Sequence, residues 1–337
     1  MRSSYNDRYF SSREKCPVCD SSEYNIIYSC PFTSDPIRGL INTHYRCQGY
    51  IDWEYLDGTD YVICDCRNCG LIYQKNIPNQ IMLNQIYNVM ISPTFVKKFD
   101  LSLLTVDNFE NIAGELGALF RSIPRHPTEI RVLDYGFGYG RWARVAVAMG
   151  AKVFATEISP EKIAFASTIG VKIVDDETIT KMQFELIHAE QVFEHLTYPA
   201  QEFRKLAGVL TTDGLMTVGV PRQGKIRRLL KQRGMINWSP LEKAWNPNIG
   251  ENSIRSYHDY NCIIPLEHLN AYSGKSIEIL AEKNNLQLIS QLRKSSIPLH
   301  TINVALMLRS VVELSKVIAT PILRRESGNY IFALKSG

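Results

Sequence analysis

Four cysteines near the start of the 337-residue sequence form two pairs with the spacing of metal ligands. The pairs are Cys16-Pro-Val-Cys19 and Cys66-Arg-Asn-Cys69, and Gly70 follows the second pair, where it allows a tight turn. Each Cys-x-x-Cys pair can direct two thiolates at one ion, and two such pairs complete a tetrahedral zinc site. Four protein ligands leave no open coordination position, so these residues predict a structural Zn²⁺ ion and not a catalytic one.

The 46 residues between the two pairs exceed what a minimal zinc ribbon needs, and they predict an inserted excursion. Cys64 lies two residues before Cys66 and could replace it as a ligand. Cys30, His44 and Cys47 lie within the excursion. They form either a second metal site or a set of spare buried side chains, and the sequence leaves both alternatives open.

Three alternate glycines form the second group of residues whose spacing could serve a functional site. Gly136, Gly138 and Gly140 lie between an apolar run that resembles a strand and a run with helical spacing. Glycine lets a chain turn sharply and lets a ligand approach the backbone closely, and the following helix offers unpaired N–H groups. The dinucleotide pattern Gly-x-Gly-x-x-Gly is not met, because Arg141 stands where that pattern needs its third glycine.

The run from Asp134 to Gly140, Asp-x-Gly-x-Gly-x-Gly, closely resembles motif I of the class I SAM-dependent methyltransferases. The resemblance implies S-adenosyl-L-methionine (SAM) as cofactor, bound on an α/β, Rossmann-like, seven-stranded and mostly parallel sheet. It also implies that Glu157, 17 residues after Gly140 and at the end of the next predicted strand, accepts hydrogen bonds from the ribose hydroxyls. Asp175 and Asp176 follow the third strand, where they either meet the adenine amino group or lie in a solvated loop. The residues expected to bind the cofactor are Asp134, Tyr135, Gly136, Phe137, Gly138, Gly140, Glu157, Ile158, Asp175 and Gln191.

A third group is Glu194-His195, which follows the apolar run Phe184-Glu-Leu-Ile-His-Ala-Glu190. This segment resembles the region between the fourth and fifth strands of small-molecule methyltransferases. In the ubiquinone-pathway O-methyltransferases, Glu-x-x-Glu-His holds a divalent metal, but here Gln191 replaces the first glutamate, which weakens a metal assignment. His195 can act as a general base near neutral pH, with Glu194 beside it. The alternative is that Glu194 and His195 only order the loop.

A fourth candidate is His268, in the run Ile264-Pro-Leu-Glu-His-Leu269. It resembles the segment in sugar C-methyltransferases where Tyr-His-Glu-His-Leu supplies the base, although Pro265 and Leu266 replace the tyrosine and the first histidine. The resemblance implies a substrate-site role for His268. The alternative is a structural role at the start of the following helix.

The N-terminal cysteine segment resembles the zinc-binding leader of many bacterial sugar and natural-product methyltransferases. The resemblance implies methyl transfer to a sugar, nucleotide-sugar or glycan intermediate, on oxygen or on carbon. Two other functions stay open. One is an RNA methyltransferase whose zinc module grips RNA, and the other is a SAM-fold binding module without catalysis. The basic residues are not concentrated in the zinc module and no RNA-binding motif is present, so nucleic acid is disfavoured as a partner.

The elements that must position these residues alternate from about residue 130, where strand-like and helical segments predict βαβ units. We predict a zinc module over 1–80, a helical linker over 81–127 and a SAM-binding domain over 128–337, with 222–262 as a substrate lid. The basic residues of that lid either bind a phosphorylated or nucleotide-linked acceptor or form a solvated helix face: Lys225, Arg227, Arg228, Lys231 and Arg233. Residues 297–323 predict an apolar core or interface helix, with peripheral membrane contact as the alternative.

The composition is that of a globular protein, with 45% apolar residues, 21% charged residues and a net charge of +4. The polar start of the chain lacks an apolar signal region, and no run of about 18 uncharged apolar residues predicts a membrane span. Eight cysteines without an export signal indicate a reducing compartment, which predicts a cytoplasmic protein.

Overall fold

A computed structural model of the chain describes residues 4–46, 48–157, 159–221, 223–224, 226–227, 261–289 and 328–335. Most of the predicted lid over 222–262, including Lys225, Arg228, Lys231 and Arg233, lies outside the described residues. The predicted helix over 297–323 lies entirely outside them.

The strands and helices follow one another along the chain with these bounds. The strands are β1 (Phe10–Ser12), β2 (Tyr24–Pro31), β3 (Asp60–Cys66), β4 (Ile72–Gln74), β5 (Asn76–Pro78), β6 (Arg131–Tyr135), β7 (Lys152–Thr156), β8 (Lys172–Ile173), β9 (Phe184–Glu190), β10 (Leu210–Gly219), β11 (Asn270–Ala271), β12 (Leu286–Leu288) and β13 (Asn329–Leu334). The helices are α1 (Ile37–Tyr45), α2 (Gln80–Gln85), α3 (Pro93–Ser102), α4 (Val106–Ser122), α5 (Arg141–Ala148), α6 (Pro160–Thr168), α7 (Asp176–Thr180), α8 (Pro199–Gly208) and α9 (Gly274–Lys283). A π-helical turn, Ile86–Met90, follows α2.

Within the described residues, seven strands form one sheet in the order β12-β13-β10-β9-β6-β7-β8. The pairs β10/β9, β9/β6, β6/β7 and β7/β8 are parallel, and β13 is antiparallel to both of its neighbours. This arrangement confirms the predicted α/β fold with a seven-stranded, mostly parallel sheet. Because parallel strands end at the same edge, the residues after β6, β7 and β9 are brought to one edge of this sheet.

The core beside this sheet is built from the helical spacing that the sequence displays. On α4, Ile112, Leu116, Leu119 and Phe120 are all at most 6% exposed, and they belong to the same apolar cluster as Val132 of β6. Thr105 is the N-cap residue of α4, and its side-chain hydroxyl accepts the backbone N–H of Asn108 at 3.3 Å. Ser159 is the N-cap residue of α6, but its side chain makes no capping hydrogen bond. Burial of the helix faces, rather than capping alone, therefore fixes these helices against the sheet.

The chain divides into two compact units. The sheet unit comprises Asp100–Glu190, Phe203–Gly219 and Ala281–Gly337, and the cysteine unit comprises Met1–Phe99, Gln191–Glu202 and Val220–Leu280. The boundaries expected at 80 and 127 are thus not those of the compact units, and the expected linker over 81–127 is shared between them.

The cysteine unit gains its two later segments through strand pairing and buried polar contacts. Within the part of the chain that is described, β11-β4-β3-β2 form a four-stranded antiparallel sheet, and β1 pairs with β5. The edge strand β11 comes from the later segment, where Asn270 pairs with Tyr73. Arg13 is 8% exposed and donates to the carbonyl of Thr197 at 2.7 Å and to the side chain of Asn270 at 2.9 Å. The later segments therefore contribute a strand and buried hydrogen-bond partners to the unit that contains residues 1–80.

No helix in the described ranges has both the length and the apolar character needed to cross a membrane.

Candidate functional site

The glycine loop follows β6 in the sheet unit with a backbone that favours glycine. Gly136, Gly138 and Gly140 have φ of +92°, +56° and +66°. The N–H of Gly136 donates to Thr156 Oγ1 at 3.1 Å, and the N–H of Phe137 donates to the Thr156 carbonyl at 3.2 Å. The loop is therefore anchored to the end of β7 and leads directly into α5, whose N-cap is Gly140.

Two of these glycines differ in what surrounds them. A Cβ at Gly140 would lie 2.5 Å from Cε2 of Phe137, whose ring is 3% exposed, so no larger residue fits there without displacing the core. Among the described residues, a Cβ at Gly138 would meet within 4 Å only Asp100 Oδ2, at 3.6 Å. The loop is closed toward the core and open at Gly138, where a ligand can approach the backbone.

Glu157 directly follows β7, at the same edge of the sheet. Its side chain is 9% exposed, with Oε1 accepting the Ser159 N–H at 2.9 Å and Oε2 3.7 Å from Lys162 Nζ. A carboxylate has about four acceptor positions, so one such group can accept hydrogen bonds from several donors. Ile158, the next expected cofactor residue, lies outside the described residues.

Asp134 and Tyr135 end β6 in different surroundings. Asp134 is 5% exposed, and its Oδ1 lies 3.3 Å from Nδ1 of His188, whose ring packs 4.1 Å from the ring of Trp142. Nζ of Lys205 donates a hydrogen bond to the hydroxyl of Tyr135 at 3.4 Å. The partnership of Asp134 with His188 was not predicted, because neither residue stands in a spacing that relates it to the other.

Asp175 and Gln191 occupy positions with clear local roles. Asp175 is the N-cap of α7, and its side chain accepts the Thr178 N–H at 2.8 Å. Gln191 is exposed, has φ of +56° and begins the segment of the cysteine unit that follows β9. Their predicted contacts with the cofactor stay predictions.

Two further carboxyl groups of the sheet unit were not singled out from the sequence. Burial raises the pKa of Asp100, against the opposing charges of Lys162 and Arg141. Burial also raises the pKa of Glu190, at the end of β9, against the opposing charge of His188. Both groups belong to the surroundings of the glycine loop, since Arg141 is the first residue after it.

The predicted base candidates come together in the cysteine unit. The rings of His195 and His268 are perpendicular, with centroids 4.7 Å apart, and Nε2 of His195 lies 4.0 Å from Oε1 of the fully buried Glu194. A ligand atom of each residue lies within 4.8 Å of the others. Tyr87 adds its hydroxyl 3.3 Å from Nδ1 of His195. We call these four residues, together with Glu267 and His44, the histidine cluster.

Electrostatics within the histidine cluster favour a charged carboxylate beside a neutral imidazole. Burial opposes ionisation of Glu267, but the hydrogen bond from His44 at 2.9 Å and the charges of His44, His195 and His268 lower its pKa to about 2. Burial lowers the pKa of His195, against the charge and the backbone carbonyl of Glu267. Neutral imidazole is the form that accepts a proton, so the cluster can act as a general base at neutral pH.

Two segments that carry residues of this cluster have an unusual backbone conformation. Tyr87 lies on the π-helical turn, and Leu266, which precedes Glu267, has φ of +74° although it is a bulky residue. Such turns and strained residues are concentrated at functional sites. The carbonyl of Glu194 accepts the backbone N–H groups of Leu269 and Asn270 at 2.7 and 3.1 Å, which ties the two loops together. Glu267 lies beside a predicted residue, whereas no sequence signal indicated Tyr87.

The four predicted metal ligands also come together in the cysteine unit. Sγ of Cys16 lies 3.5 Å from Sγ of Cys69, Sγ of Cys19 lies 3.5 Å from Sγ of Cys66, and all four sulfurs lie within 4.8 Å of one another. Zn–S bonds of about 2.3 Å in a tetrahedron place sulfurs about 3.8 Å apart, so the set has the size of a zinc site. Cys64 is fully buried in β3 and is not a member of this set.

The described residues do not assemble a second metal site in the excursion, which was one of the two alternatives for Cys30, His44 and Cys47. Sγ of Cys30 donates to the carbonyls of Ser34 and Asp35, and His44 is paired with Glu267. Cys47 lies outside the described residues.

One basic residue of the predicted lid has a structural partner. Nε and Nη2 of Arg227 pair with the two carboxylate oxygens of Asp65 at 2.9 and 3.0 Å, and Nη2 also donates to the Gly70 carbonyl at 2.8 Å. Arg227 therefore holds the second cysteine turn, and an acceptor phosphate would have to compete with a bidentate ion pair for it.

The sheet order, with one antiparallel strand beside parallel ones, and the glycine loop after β6 define the fold of class I SAM-dependent methyltransferases. The chain belongs to the methyltransferase domain family, whose sequence profile matches residues 108–291, and this confirms the predicted family.

Solved structures similar to this chain include three methyltransferases. PKMT2 from Rickettsia typhi is 13% identical, with a TM-score of 0.42, over 66% of this chain and 53% of that one. A TehB-like SAM-dependent methyltransferase from Corynebacterium glutamicum is 16% identical, with a TM-score of 0.37, over 72% and 100%. The plantazolicin methyltransferase BamL is 11% identical, with a TM-score of 0.42, over 76% and 95%. The match thus spans about half the length of PKMT2. No curated protein matches the chain.

Proposed function

We propose that this protein transfers the methyl group of SAM to a small-molecule acceptor, and that the acceptor is a sugar, nucleotide-sugar or glycan intermediate. The observation that carries the proposal is the glycine loop after β6, with three left-handed glycines and with Glu157 at the end of the neighbouring strand. The backbone of the glycine loop is accessible at Gly138. This geometry fits a nucleoside whose amino-acid part lies against the loop backbone.

The residues of the sheet unit have separate tasks in cofactor binding. The loop backbone from Gly136 to Gly140 lines the amino-acid part, and the carboxylate of Glu157 accepts hydrogen bonds from ribose hydroxyls. Asp134 holds His188 and keeps the end of β6 rigid. When bound, SAM supplies a methyl group activated by its sulfonium, so alignment of the acceptor contributes much of the rate.

The histidine cluster supplies the base that an oxygen or carbon acceptor needs. Bound SAM would supply the methyl group, with S-adenosylhomocysteine as the other product. His268 or His195 would take the proton of the acceptor. Glu267 stabilises the imidazolium that forms, because it is ionised beside both histidines.

The sugar class of acceptor is supported by two features of the sequence. The cysteine pairs resemble the leader of bacterial sugar methyltransferases, and Glu267-His268-Leu269 retains the end of the base-bearing run of sugar C-methyltransferases. We assign the protein to the cytoplasm, because thiols grouped as metal ligands suit a reducing compartment.

We also propose that the four clustered cysteines bind one Zn²⁺ ion. Four thiolates at tetrahedral distances form a closed coordination shell, so the ion stabilises the cysteine unit and takes no part in methyl transfer.

The proposed function is tested by SAM binding in a glycine variant. Replacing Gly140 by alanine is expected to weaken SAM binding at least about tenfold, which corresponds to about 1.4 kcal/mol. The left-handed conformation costs an alanine about 1–2 kcal/mol, and its Cβ would also displace the buried ring of Phe137. Isothermal titration calorimetry of the full chain with SAM gives the affinity.

Gly170→Ala is the matched control, because Gly170 is also left-handed, with φ of +78°, but a Cβ there meets only Val147 at an ordinary 3.5 Å. Its SAM affinity should equal that of the wild type. A wild-type protein that binds no SAM would reject the proposed function, and equal losses in both variants would show that the loop is not the binding site.

A further inference from the structure

His44 lies outside the motifs of the proposed function, yet it belongs to the histidine cluster through its contact with Glu267. It occupies the last turn of α1, within the excursion between the two cysteine pairs, and is 6% exposed. The edge of the Tyr45 ring fixes it, with ring centroids 4.9 Å apart at 85°. Its Nε2 lies 2.9 Å from Oε2 of Glu267, a residue 223 positions later in the chain.

Glu267 connects His44 with the other histidines. Its side chain is 13% exposed, so its charge is poorly screened by water. The carboxylate interacts with His44, His195 and His268, and the backbone carbonyl of Glu267 accepts a hydrogen bond from the His195 ring. A carboxylate with three histidine neighbours favours a proton on whichever of them pairs with it.

Three further groups face His195. From the π-helical turn, the Tyr87 hydroxyl faces Nδ1 of His195, and desolvation together with the charges of Glu267 and Glu194 raises its pKa well above the ordinary value. From the same loop as His195, Glu194 lies 4.0 Å away, and His268 packs on the ring from the turn after Glu267. The protonation of His195 and His268 therefore depends both on the Glu194 carboxylate and on how firmly the Glu267 carboxylate is held elsewhere.

We propose that His44 is a positioning residue that holds the carboxylate of Glu267 and thereby keeps His195 and His268 in the neutral, proton-accepting form. The inference rests on the proposed function, in which one of these histidines takes the proton of the acceptor. Without a donor at position 44, the buried carboxylate pairs with His195 or His268 instead. Protonation there becomes more favourable, and the base is occupied before the reaction begins.

The experiment measures histidine pKa values directly, in the full zinc-loaded chain labelled with ¹³C at histidine Cε1. In His44→Phe, the NMR titration is expected to show a rise of about one pH unit or more in the pKa of His195 or His268. His44→Asn, whose side chain is too short to reach the carboxylate, should show the same rise and serves where the phenylalanine variant does not fold. His44→Gln retains an N–H donor and should stay close to the wild type.

Two controls fix the sign and the site of the effect. Glu267→Gln removes the negative charge and should lower the pKa values of His195 and His268 below those of the wild type. His126→Gln changes an exposed histidine that caps a short turn in the sheet unit, and should change neither value. Unchanged pKa values of His195 and His268 in folded His44→Phe or His44→Asn would overturn the proposal. The titration needs neither SAM nor an acceptor, so it stands even where methyl transfer fails.

Discussion

Replacing His268 by glutamine is expected to lower kcat of methyl transfer by about 10²–10⁴-fold, the usual contribution of a general base. Glutamine retains the size of the side chain but cannot take a proton. SAM affinity should not change, because His268 is not among the residues expected to bind SAM. The measurement is transfer of a labelled methyl group from SAM to nucleotide-linked sugars, with SAM affinity measured beside it.

His195→Gln distinguishes the two base candidates. Nδ1 of His195 lies 3.3 Å from the Tyr87 hydroxyl, and burial lowers the pKa of His195. We therefore expect a smaller loss of kcat than in His268→Gln. His126→Gln provides the control for a histidine outside the cluster. Wild-type kcat in both cluster variants would show that the acceptor loses its proton by another route.

The cofactor half of the molecule could be predicted because its signals are local. The three glycines, the strand before them and the helix after them lie within about one βα unit, and their residue types dictate the backbone. Glu157 follows from the same logic, because adjacent parallel strands end at one edge. Asp175 shows the limit of this logic, since an aspartate before a helix can equally be an N-cap, and here it caps α7.

The histidine cluster could be predicted only in part, because it depends on contacts between distant segments. His268 and His195 were found through their neighbours in sequence. The pairing of His44 with Glu267 spans 223 positions, and no periodicity relates the two. Tyr87 lies on a π-helical turn, where the usual helical spacing does not show which side chain faces inward.

The extent of the unit that contains the cysteines also depends on contacts between distant segments, which the sequence pattern does not display. The cysteine pairs indicate a candidate metal site, but they do not show that Asn270 completes the sheet beside Tyr73. A two-residue strand such as β11 is too short for its own pattern, and its position is set by tertiary pairing. This explains why residues 191–202 and 220–280 belong with the cysteines in one compact unit.

Replacing Cys66 by serine is expected to abolish zinc binding and to unfold the cysteine unit. A structural zinc site contributes about 10–16 kcal/mol at neutral pH, which is as large as the whole stability of an ordinary domain, about 5–15 kcal/mol. The wild-type chain, purified without chelator, should contain one zinc ion by elemental analysis. The variant should contain none, and its thermal unfolding should lose the transition of the cysteine unit.

Cys64→Ser is the matched control, because Cys64 lies on the same strand, β3, is also buried and is not one of the four clustered thiols. It should retain one zinc ion and lose only the modest stability that a buried hydroxyl costs, about 1–3 kcal/mol. The two variants also decide between the ligand sets that the sequence left open. If Cys64→Ser lost zinc and Cys66→Ser retained it, Cys64 would be the fourth ligand. If the wild-type chain contained no zinc, the proposed zinc site would be rejected. The clustering of the four thiols would then need another physical cause.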